Sequence, residues 1–187
     1  MASTINAAVG GLVSTADSSG ALNIQTSGTT AISITSGQAV TFAGTANLSG
    51  SSSTLGAVLT DAAETTTVSA TAATGTINYD VTTQSVLYYT SNAAANWTVN
   101  FRGSSGTSLN TLLATGQTIT VVFLVTQGAT PYYNNAVQVD GASVTPKYQG
   151  GTAWSAGNAS SIDAYTYTII KTASATYTVL ASQTKFA

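Results

Sequence analysis

Apolar and polar residues alternate with a period of two along much of this 187-residue chain, the pattern of strands with one face buried. The stretch Asn96-Trp97-Thr98-Val99-Asn100-Phe101-Arg102 is its cleanest instance. Trp97, Val99 and Phe101 fall on one face; Asn96, Thr98, Asn100 and Arg102 fall on the other. Ile77, Tyr79 and Val81 repeat the pattern, as do Tyr165, Tyr167 and Ile169, and then Tyr177 and Val179. Residues 118–127 (TITVVFLVTQ) break it with the densest apolar run in the chain. That run is too short to cross a bilayer as a helix, and it predicts a central strand buried on both faces. Residues 57–59, 65–70 and 84–90 predict further strands, and residues 109–113 a single helical turn. Asp140-Gly141, set between alternating residues 137–144, predicts a hairpin whose turn needs positive φ at both positions. Pro146 marks a strand end, and residues 149–161 form a Gly/Ser/Asn-rich loop. About ten short strands over residues 57–187 predict an all-β domain, a β-sandwich of jelly-roll-like type.

The first 48 residues show a coarser rhythm. Leu12, Leu22, Ile32 and Phe42 recur every tenth residue, and Ile24 and Ile34 add same-face partners to the middle two. Turn-prone groups separate them, Thr26-Ser27-Gly28 and Ser36-Gly37 among them. This predicts an N-terminal β arm or stalk over residues 1–48 that buries too little to stand alone. Wrapped around identical copies, those six apolar positions would form a shared core. Such alternation is unusual in a disordered tail. Residues 49–56 are polar and loop-forming, and are read as a linker.

Composition sharpens this picture. Charged residues make up 5%, against about 25% in ordinary proteins. Roughly a third of the residues are Ser or Thr, which favour strands and turns. A weakly charged surface promotes association, so the chain reads as a subunit of an assembly. The net charge is −2 with no basic cluster, which argues against nucleic acid as a direct partner. There is no Cys, hence no disulfide and no thiolate metal site. The N-terminus lacks the basic and apolar regions of a secretory signal.

Candidate chemistry is sparse. No His is present, which removes the usual general base and the triads and zinc sites built on it. Asp61 and Glu64 are the nearest carboxylate pair, and no motif supports them. Asp140 and Asp163 lack the ligand-dense loop that calcium needs and read as turn formers and caps. Neither an enzymatic activity nor a cofactor is expected. Trp154, among glycines on a loop, has two readings. It stacks on a sugar face with Asn158 nearby, or it plugs the end of the domain. Tyr132 and Tyr133 share that ambiguity, whereas Trp97 reads as core.

Residues 11–32 (GLVSTADSSGALNIQTSGTTAI) resemble the start of tail-fibre-like virion proteins of tailed bacteriophages. Leu87-Tyr88-Tyr89-Thr90, residues 96–103, residues 165–171 and the ending at residues 180–187 resemble a C-terminal β domain of structural proteins in marine and cyanobacterial phages. The resemblance implies a homotrimeric particle component, made in the host cytoplasm and carried on the virion, with neither catalytic residues nor metal. Its expected partners are itself and other virion proteins, such as the major capsid protein or neck and tail proteins. The expected function is a capsid decoration (cement) subunit or short fibre. The alternative is a host-recognition module that binds a cell-surface glycan through a tip formed by Trp154, Tyr132, Tyr133 and Asn158.

Overall fold

A computed structural model describes residues 22–37, 39–46, 48, 55, 57–59 and 62–187. The chain is all-β and divides into two compact units, Met1–Asp61 and Ala62–Ala187.

In the first unit, β1 (Leu22–Thr26), β2 (Thr29–Ile34) and β3 (Val40–Phe42) form an antiparallel three-stranded sheet. Its first turn is Ser27-Gly28, with φ of 51° and 76°, the paired positive values that a two-residue hairpin favours. The second is closed by the Thr35 N–H on the Ala39 carbonyl at 3.0 Å, while the Thr35 hydroxyl accepts from the Ala39 N–H.

The second unit contains β4 (Thr66–Ala72), β5 (Gly75–Asp80), β6 (Val86–Ser91), β7 (Trp97–Arg102), the single-turn helix α1 (Leu109–Leu112), β8 (Thr118–Thr126) and β9 (Asn134–Val139). β10 (Ala142–Val144), β11 (Lys147–Tyr148), a 3₁₀ turn at Gln149–Gly151, β12 (Ile162–Ala173) and β13 (Thr176–Phe186) complete it. Its strands form two sheets, ordered β10-β9-β7-β5 and β11-β13-β12-β8-β6-β4, and from β4 to β9 successive strands alternate between them. β5, β7 and β9 run parallel, and so do β4, β6 and β8. Each crossover between parallel neighbours passes through the other sheet, which supplies the long connection that parallel pairing requires. This departs from the jelly-roll expectation, in which neighbouring strands are antiparallel. Antiparallel pairing enters with the β12–β13 hairpin laid against β8 and with β10 against β9.

One core receives the inward residues of both sheets: Ile77, Tyr79, Trp97, Val99 and Phe101 from one, Phe123, Val125, Tyr165, Tyr167 and Ile169 from the other. Phe101 and Tyr167 rings lie 4.8 Å apart, and Trp97 meets Tyr165 edge-on at 5.4 Å. Two expectations need correction. β8 is central in its sheet but fully buries only Val121, Phe123 and Val125; Val122 and Leu124 are half-buried. Residues 57–59 form no strand, and Val58 and Leu59 are exposed. They lack the alternation and length with which a strand buries one face. The division between the two units falls after Asp61; of the expected linker over residues 49–56, all but Leu55 lies outside the described residues.

Candidate functional site

Strand pairing places six apolar residues of the three-stranded sheet on one face. Leu22 is opposite Ile34, which is opposite Val40; Ile24 is opposite Ile32, which is opposite Phe42. Cross-strand partners share a face, so these two rows form an array with no polar member. Asn23, Ser33 and Thr41 occupy the opposite side. Leu22, Ile24, Val40 and Phe42 are about half exposed, and Ile32 and Ile34 are half-buried. Five of the six expected attachment residues therefore come together, with Val40 added; Leu12 lies outside the described residues. Val40 escaped the sequence reading because it falls off the ten-residue rhythm, although its spacing of two from Phe42 was a usable signal.

The two sheets of the second unit present opposite outer surfaces. The four-stranded sheet carries Asn78, Asn100, Gln138 and Ser143 in one row and the Asp80–Arg102 ion pair beside it. The Asn100 amide donates to Asn78 Oδ1 at 2.8 Å and accepts from the Gly141 N–H at 2.8 Å. The guanidinium of Arg102 is raised in pKa first by its hydrogen bond to Asp80. The six-stranded sheet instead carries Val68, Tyr88 and Leu124 in one row, and Val86, Val122, Thr166 and Ser182 in the next. These two rows hold no charge.

The proposed tip residues are committed to internal contacts. Trp154 is half-buried; it packs on Tyr148, Tyr165 and Tyr167 with ring centroids 4.8, 5.3 and 6.4 Å away. Its indole N–H donates to the Asn134 carbonyl. Asn134 is itself buried, donating to the Trp97 and Ala136 carbonyls and accepting from the Tyr167 hydroxyl. Burial drives the Tyr167 pKa well up. The segments of Tyr132 and Asn158 meet elsewhere, around a buried pair that the sequence reading missed. Gln127 donates to the Tyr132 carbonyl (2.8 Å) and to Asp163 Oδ2 (3.0 Å), and accepts from the Tyr132 N–H. Asp163 Oδ2 also accepts from the Asn158 N–H at 3.1 Å. Tyr133 is tied through its N–H to Asn96 Oδ1. The available signal was Gln127 itself, an amide closing an apolar run.

The described carboxylates of the sequence reading make hydrogen bonds within the chain. Asp163 is buried, and desolvation raises its pKa against the pull of Asn158, Gln127 and Lys185. Asp140 accepts from the Leu109 and Asn110 N–H groups. Glu64 accepts from the Ser85 hydroxyl, and Asp61 lies outside the described residues. Among the described residues, no three metal-ligating side chains come together, and no helix is long and apolar enough to cross a membrane. The chain matches no family model, no curated protein and no solved structure.

Proposed function

We propose that this chain is a non-enzymatic structural subunit of a bacteriophage virion, a homotrimeric decoration (cement) protein or short fibre that adds contacts between subunits of the particle. The carrying observation is the apolar array Leu22, Ile24, Ile32, Ile34, Val40 and Phe42. A sheet that is apolar on one face is stabilised by burying that face against another element. Burying what remains exposed is worth on the order of 1 kcal/mol per side chain, several kcal/mol per copy. Copies of the same chain suit it because the array carries no charge to repel its like. In this reading residues 1–48 form the oligomerising arm, and the second unit, residues 62–187, forms a two-layer β-sandwich whose uncharged outer rows add further contact area. The resemblance of residues 11–32 and 96–103 to phage structural proteins supplies the particle as its setting.

The test is the native mass of the parent protein beside the double variant Leu22→Asp/Ile32→Asp. Trimeric parent and monomeric variant, with an unchanged thermal transition for the second unit, support the reading, because unpaired carboxylates are costly to bury. A variant that assembles like the parent refutes the shared arm.

A further inference from the structure

We infer a saccharide-binding groove at the edge of β13 that shares Trp154 with the expected tip but none of Tyr132, Tyr133 and Asn158. A depression of about 200 Å³ is lined by Gln149, Thr152, Trp154, Ser182 and Gln183, with Gly150 at its rim. One lining residue, Trp154, is aromatic. Trp154 packs at a steep angle against Tyr148 and Tyr165, and its N–H is anchored on Asn134, which holds the indole in place beside the depression. Its walls are neutral amides and hydroxyls. The Gln183 amide nitrogen is engaged by the Ala156 carbonyl and the Tyr165 hydroxyl, which leaves its oxygen as the free acceptor.

The turn beside the groove needs glycine for its backbone conformation. Gly150 and Gly151 have φ of 74° and 79°, and a Cβ on either would meet nothing within 4 Å. β11 pairs with β13 only at Leu180 and Ala181, after which the 3₁₀ turn carries the chain off. A second depression of about 460 Å³ shares Gln149, Ala181 and Ser182 with the first and adds Thr166, Thr168 and Lys147.

This combination selects its ligand class. A rigid aromatic surface takes the C–H face of a pyranose ring, and neutral hydrogen-bonding groups around it match ring hydroxyls. A purely apolar ligand would strand those amides and hydroxyls without partners. A phosphate or nucleotide would find only Lys147, at the far end. The two adjoining depressions suit a short oligosaccharide, which rests on the groove and not on the arm.

Titration of the full-length protein with cellotetraose, chitotetraose, maltotetraose and mannotetraose, followed by saturation-transfer NMR and calorimetry, tests the inference. At least one tetrasaccharide is expected to bind at millimolar or better affinity. The surface variant Gln149→Ala/Ser182→Ala should weaken that binding about tenfold or more with its melting temperature unchanged. Trp154→Phe, which keeps an aromatic ring in the cluster, should weaken it as well. Leu22→Asp/Ile32→Asp should bind like the parent, which separates the groove from the oligomer. No binding by any of the four at millimolar concentration, or binding unaffected by Gln149→Ala/Ser182→Ala, overturns the groove.

Discussion

Asp140 and Lys171 hold opposite ends of the same helical turn. The Asp140 carboxylate, from the β9–β10 turn, accepts from the Leu109 and Asn110 N–H groups at 2.6 and 2.9 Å. The buried Lys171 ammonium donates to the Asn110 and Leu113 carbonyls at 2.6 and 2.8 Å. A four-residue helix leaves nearly all its terminal groups unpaired, and these charges match the sign of the partial charge at each end. Among the described residues neither pairs directly with an opposite charge; the helix stands between them.

Lys171→Met should therefore cost about 1–3 kcal/mol, because it leaves two carbonyls without donors. Asp140→Ala should cost about 1 kcal/mol, as the loss of a cap. Urea unfolding of both single variants and the double variant measures the coupling between them. Lys171→Met unfolding at the parent's midpoint would show that water replaces the ammonium without loss.

Asp163 gives the protein a pH dependence of definite sign. Burial is the main influence on its carboxyl and raises the pKa in the folded state. The folded chain then holds the proton more tightly than the unfolded chain does. This contribution to stability is complete below the unfolded value, about 3.9, and is lost as pH rises through the folded value. Asp163→Asn cannot ionise, so its urea midpoint should lack that fall. Midpoints of parent and variant across the acid range decide the matter: a parent that gains on the variant with rising pH has the opposite sign.

Gly157 is buried where the Tyr132 and Asn158 segments close on each other. A Cβ there would strike the Tyr132 carbonyl and lie 2.7 Å from Asp163 Oδ2 and 2.9 Å from Gln127 Nε2. Gly157→Ala should lose about 1–3 kcal/mol through overpacking. Gly106→Ala meets nothing within 4 Å and should stay within about 0.5 kcal/mol of the parent. Calorimetric melting of the two variants gives the comparison.

Phe101 and Arg102 test the alternation of β7 directly. Phe101 is fully buried against Tyr79 and Tyr167, so Phe101→Ala should cost about 3–5 kcal/mol. Arg102 sits on the outer face with Asp80 at 2.5 Å, both about a quarter exposed. Arg102→Ala should cost less than about 1 kcal/mol, and less still in high salt. Equal losses at the two positions, by chemical denaturation, would contradict the face assignment.

Local features were legible because their causes are local. Asp140-Gly141 adopts φ of 52° and 81° as its hairpin requires. Residues 109–113 turn once because the Ser108 hydroxyl accepts from the Thr111 N–H. Tyr165, Tyr167 and Ile169 are fully buried where alternation put them. The depression at the edge of β13 was only half legible: Trp154 stood out among its glycines, but Ser182 and Gln183 arrive from β13 without any marking in the sequence.

The chain's own order of residues thus determined which side of each strand meets the core, since a period of two assigns faces and nothing else. It also determined the turns, through residues that tolerate positive φ. Only the tertiary structure decided which strand pairs with which. The parallel rows β4-β6-β8 and β5-β7-β9 arise because each strand crosses to the other sheet before its neighbour forms, and alternation reads the same for either direction. The tertiary structure likewise decided that Asp163 and Lys171 are buried, because burial depends on what distant segments bring to cover a side chain.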